Sequence, residues 1–146
     1  RLLASDMKVI AYDPFAEDDP EIQQVERGDW PCRIEEADFI VITCSLTESS
    51  YHMLNDKILS KVKKGVRIVN VGRGPIIDER ALERSLVSGQ VYSAALDVFE
   101  IEPLPRDSIL RTHPKIIFGS HNSSNTIEAV EKTNIKAIKY IVEYLS

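Results

Sequence analysis

Residues 70–105, NVGRGPIIDERALERSLVSGQVYSAALDVFEIEPLP, spell out strand, helix and strand in one pass. An apolar run at 67–71 (RIVNV) leads into the stretch. Asp78 then stands as a helix N-cap, Gly89 ends that helix, and 91–96 (VYSAAL) is the next strand. The same rhythm extends in both directions, with strand candidates at 8–12 (KVIAY), 38–43 (DFIVIT) and 115–118 (KIIF) and a weaker one at 29–32. Most are continuous apolar runs, as expected of strands buried on both faces of a parallel sheet. Asn55 caps a further helix expected to reach Lys64 and stop at Gly65. Asn125 and Glu128 form a capping box for a long final helix whose apolar stripe is Ile127, Val130, Ile138, Ile141 and Leu145, widened by Ile135 and Val142. Alternation over the whole length predicts an α/β fold with a doubly wound parallel sheet, one nucleotide-binding-type domain spanning 1–146.

Composition narrows the partners. The chain has 146 residues, 43% of them hydrophobic, and a formal charge of -5. That is enough for one core, and no basic block offsets the acids, so nucleic acid and anionic membrane surfaces are not expected as partners. Lys61, Lys63 and Lys64 are explained by the end of a helix. Cys32 and Cys44 fit no metal spacing, and a reduced, cytoplasmic protein is the simple reading. No stretch approaches the ~18 apolar residues of a membrane span.

Doubly wound sheets bind ligands at the carboxyl ends of their strands, and polar residues gather there. Asp13 follows the first strand, Ser45 and Thr47 the second, Gly72 and Arg73 the third, Asp97 the fourth and His121 the fifth. An acidic residue at such a tip accepts hydrogen bonds from an adenosine ribose, although Asp13-Pro14 also reads as a simple turn. Arg73 lies between two glycines that free the backbone to approach a ligand, and its guanidinium matches a carboxylate. His121 with a carboxylate partner can act as acid or base near neutral pH.

Spacing sharpens this. Arg73 to Asp97 is 24 residues (97 − 73), Asp97 to His121 is 24 (121 − 97) and Asp97 to Glu102 is 5 (102 − 97). With the RG and EP dipeptides and the run VITCSLTESSYHMLN at 41–55, the chain resembles the D-isomer-specific 2-hydroxyacid dehydrogenases from Met7 to the final helix. The resemblance implies a Rossmann-like fold, an NAD cofactor and a small D-2-hydroxy or 2-oxo acid substrate. It implies that Arg73 binds the substrate carboxylate and keto oxygen, and that His121 exchanges the proton as hydride is transferred. Glu102 would orient His121 and favour its protonated form. Asp97 would bind the nicotinamide carboxamide and Asp13 the ribose. Cys44, Ser45, Leu46 and Thr47, with Val71, Gly72 and Arg73, would line the cofactor cleft beside His121; no metal is implied.

The chain departs from the family pattern in places. Ser45 and Ser120 stand where proline is common, and Asn122-Ser123-Ser124 is more polar than the family's usual small residues. The glycine-rich phosphate loop and its strand are not present, nor is the substrate domain that the family assembles from its two chain ends. The protein is therefore expected to begin upstream of Arg1, with a gap in the sheet between the 8–12 and 38–43 strands. A homodimer is expected. The alternative is a non-catalytic, NAD-sensing regulatory protein resembling this family's corepressors. A formate dehydrogenase would call for Gln in place of Glu102.

Overall fold

The computed structural model describes residues 2–16 and 24–145. Two short strands, β1 (Ile10–Ala11) and β2 (Glu26–Arg27), pair in parallel as a sheet of their own. A four-stranded parallel sheet follows, with β3 (Phe39–Ile42), β4 (Val66–Asn70), β5 (Val91–Leu96) and β6 (Ile116–Phe118) side by side in chain order. No ladder joins β1 to β3, so the expected gap falls between these two sheets.

Register sorts the side chains into rows. Ile40, Ile68, Ala94 and Ile116 lie abreast and form one row, with Ile42, Asn70 and Leu96 in another on the same face. Helices α1 (Asp56–Leu59) and α2 (Glu79–Ser88) bury this face with Leu59, Ala81, Leu82 and Leu86. Burying each large side chain contributes roughly 1.5–3 kcal/mol, so stability is concentrated in this layer. The intervening row, Val41, Val69, Ala95 and Ile117, lies on the opposite and more open face, where Val41 is 44% and Ile117 72% exposed. Helix α3 (Ile127–Leu145) has no buried residue, and its expected apolar stripe faces solvent.

Local signals account for most boundaries. Asp78 accepts the Ala81 amide at 3.0 Å, and Gly89 ends α2 at φ 74°. Asn55 accepts the Ile58 amide as the cap of α1. That helix does not reach Lys64. The Lys61 amide bonds three residues back to Ile58, and the tightened chain buries Val62 before turning into β4. The weak strand expected at 29–32 lies earlier, at Glu26–Arg27, because pairing with β1 selects its position. Thr126, rather than Asn125, caps α3 through its hydroxyl, which accepts the Ala129 amide at 3.2 Å.

Candidate active site

The segments that follow β3 and β4 frame an open cleft of about 350 Å³, lined by Thr43, Cys44, Ser45, Leu46, Val71, Gly72 and Arg73. Six of the expected cofactor-wall residues are thus brought together. Thr47 is not among them, because its hydroxyl is drawn into a turn with Ser49 and Ser50 at 3.0 and 3.2 Å. Ser50, buried and without a role in the sequence reading, donates to the Ser45 carbonyl at 2.8 Å and so fixes the cleft wall.

The glycines flanking Arg73 are required by the protein's own packing. A Cβ on Gly72 would lie 2.7 Å from the Cys44 carbonyl oxygen, and one on Gly74 only 1.9 Å from the Phe99 carbonyl. The strand ends close together because these positions have no side chain. Asn70, 1% exposed, completes the turn by donating to the Arg73 carbonyl and accepting the Gly72 amide, both at 3.0 Å. Its place at the end of an apolar strand was the available signal: a buried amide needs partners. The Arg73 side chain is exposed, with Nη1 donating to the Gly72 carbonyl at 2.8 Å.

Beyond Arg73 the next two strand ends supply a histidine–carboxylate pair. His121 Nδ1 lies 2.8 Å from Glu102 Oε2, and Glu102 Oε1 accepts the Phe99 amide at 2.9 Å. The hydrogen bond from His121 and that amide hold the Glu102 carboxyl below its ordinary range, helped by the nearby Arg73 charge. Nε2 of His121 has no hydrogen-bond partner among the described residues, and the side chain is 46% exposed. A ring with one nitrogen held by a carboxylate and the other free is arranged to exchange a proton.

Asp97 is engaged within its own chain. It is buried, its oxygens accept the Asn122 and Ser123 amides at 3.2 and 3.0 Å, and its carbonyl accepts the His121 amide at 2.8 Å. Burial pushes its carboxyl up, but the Ser123 and Asn122 hydrogen bonds and the His121 charge outweigh this and hold it low. Its contacts position the His121 loop, where His121 takes a left-handed φ of 58°. Asp13 follows β1, in the two-stranded sheet. Burial raises the Cys44 thiol, and the Asp13 charge raises it further. Asp13 itself is exposed and accepts the Phe15 amide at 3.0 Å.

Comparison with known proteins agrees with this fold. Residues 1–123 match the family described as D-isomer specific 2-hydroxyacid dehydrogenase, NAD binding domain. The chain belongs to this family. It is 42% identical to hydroxypyruvate reductase of Thermotoga maritima over 99% of its own length and 47% of the relative's. It is also 42% identical to D-3-phosphoglycerate dehydrogenase 3, chloroplastic, of Arabidopsis thaliana, over 93% of its length and 23% of that protein's. A glyoxylate reductase from Paecilomyes thermophila superposes with a TM-score of 0.80 at 31% identity, covering 91% of this chain and 40% of the other. D-lactate dehydrogenase with NAD+ from Lactobacillus jensenii superposes at 0.78 with 25% identity, covering 88% and 42%. The chain therefore spans less than half the length of these relatives. No helix among the described residues is long and apolar enough to cross a membrane.

Proposed function

We propose that this chain is the nucleotide-binding part of an NAD-dependent oxidoreductase that interconverts a small D-2-hydroxy acid and its 2-oxo acid. The observation that carries this is the 2.8 Å His121–Glu102 pair, set on the same rim as Arg73. A small acid substrate also accords with relatives named for hydroxypyruvate and glyoxylate reduction. Those names give no support to the regulatory alternative.

The residues present fit the cofactor. Gly72 lets the β3 and β4 ends close into a cleft floor that a Cβ would disrupt, and Ser45 and the Val71–Arg73 backbone offer polar groups along it. Asp13, which follows β1, has the chemistry to accept ribose hydroxyls and to repel a 2′-phosphate. NADH supplies the hydride. Arg73 holds the substrate carboxylate with its guanidinium and polarises the keto oxygen. His121 gives its Nε2 proton to that oxygen as the carbonyl carbon is reduced, and takes it back when the alcohol is oxidised. Glu102 keeps the ring oriented and balances the imidazolium charge, while Asp97 braces the loop and would hold the nicotinamide carboxamide. The sharp test is turnover of NADH by the full-length protein with a panel of 2-oxo acids. Absence of turnover with glyoxylate, hydroxypyruvate and pyruvate alike defeats the reading.

The substrate domain belongs, on this reading, outside residues 1–146, as the 47% coverage of the Thermotoga relative supports. The exposed apolar stripe of α3 supports a homodimer, the two free cysteines support a cytoplasmic setting, and the charge of -5 argues against nucleic acid and anionic membranes.

A further inference from the structure

We infer that His52 and Glu100 form a positioning pair that braces the Glu102 turn against the Arg73 turn; the reaction it serves rests on the reading above. His52 Nε2 lies 2.7 Å from Glu100 Oε1, and the two residues are 48 apart in the chain. Both side chains are 28% exposed, and neither residue lines the cleft. The other Glu100 oxygen accepts the Glu79 amide at 3.2 Å at the start of α2. In return, the Glu79 carboxylate accepts the Glu100 amide at 3.0 Å. Glu100 is held by backbone and side chain alike, two residues before Glu102.

His52 is equally constrained. Its amide donates to the Pro75 carbonyl at 2.9 Å, and its carbonyl accepts the Asn55 side chain at 2.8 Å. Its ring stacks on Tyr51 with centroids 4.0 Å apart. The residue adopts a left-handed φ of 46°. A non-glycine residue persists in that conformation when its surroundings impose it. One residue thus ties three rim segments together: its own loop after β3, the turn holding Arg73 through Pro75, and the Glu100–Glu102 turn. Groups that touch a substrate depend on such supporting hydrogen bonds for their geometry. Glu79 and Tyr51 are the other titratable groups in contact with the pair.

The test uses the full-length protein with His52→Ala and His52→Gln, each alone and combined with Glu102→Gln. His52→Ala should lower kcat roughly ten- to hundredfold, the scale of a misplaced catalytic group, while KM for the 2-oxo acid and affinity for NADH change little. His52→Gln, whose amide still donates to Glu100, should keep most of the turnover. Over Glu102→Gln, His52→Ala should add little, because the group it positions is already gone. Unchanged kcat in His52→Ala, an equal loss in both backgrounds, or equal failure of the Gln variant overturns the inference. If the Ala variant does not fold, His52→Asn, too short to reach Glu100, takes its place. Isotope-edited NMR of the His121 ring reads the same coupling without turnover. His52→Ala should shift those resonances and His52→Gln should not. Unmoved resonances in His52→Ala overturn the inference even if the wild-type protein proves inactive and the dehydrogenase reading fails.

Discussion

Glu102 and His121 meet at 2.8 Å across a 19-residue separation, and the same carboxylate is steadied by the Phe99 amide at 2.9 Å. The imidazole is therefore aimed by one fixed acceptor, with its second nitrogen left for chemistry. Both side chains remain more than a third exposed, so the pair orients more than it stabilises. Pairs this exposed contribute about 1 kcal/mol or less.

Glu102→Gln should accordingly leave the melting temperature nearly unchanged while altering pH dependence. The Glu102 carboxyl is held low by His121, so its contribution is present above its unfolded-state value and lost as pH falls through the lower folded one. In the variant the imidazolium has no anionic partner, and the alkaline limb of 2-oxo acid reduction should move to lower pH. Turnover measured across pH checks this, and an unshifted profile would mean that Glu102 is not the functional partner of His121.

His121→Ala and Arg73→Ala should each lower kcat/KM strongly, by about 10²–10⁴-fold for the acid–base residue. Circular dichroism should remain that of the wild type, because both side chains are exposed and neither belongs to the core. Loss of folded signal in either variant would assign that residue to structure instead.

Asp97→Asn should destabilise the His121 loop, because an amide group cannot accept both the Asn122 and the Ser123 amides in the same geometry. A hydrogen bond to a charged acceptor is worth about 1.5–3 kcal/mol, and one of the two is lost. The folded carboxyl is held low, so the stability it contributes is present above its unfolded-state value and lost as pH falls through the folded one. Melting temperatures of the two proteins should therefore differ at neutral pH and converge in acid. A constant difference at all pH values would remove the charge from the explanation.

The intact protein should prefer NAD over NADP, because Asp13, the acidic residue that follows β1, would repel an added phosphate. Asp13→Asn should narrow that preference, as measured by kcat/KM for the two cofactors. Equal efficiency in the wild-type protein would remove Asp13 from the cofactor site.

Short-range rules made much of the molecule legible in advance. Apolar runs identified the four strands of the main sheet, and the caps at Asn55, Asp78 and Gly89 act within a few residues of where they stand. Asn55 and Asp78 each accept an amide three residues on, and the Gly89 amide donates to the Leu86 carbonyl three residues back. The spacing of Arg73, Asp97, Glu102 and His121 carried the family and, with it, the expectation of a His–carboxylate pair. The tertiary structure decided what those residues touch. Gly74 is required by the Phe99 backbone, Asp97 spends its oxygens on the His121 loop, and His52 finds Glu100 from 48 residues away. Strand order and register set such contacts. They bring together loops that no periodicity relates, and hydrogen bonds then form with whatever polar group the packed neighbour presents.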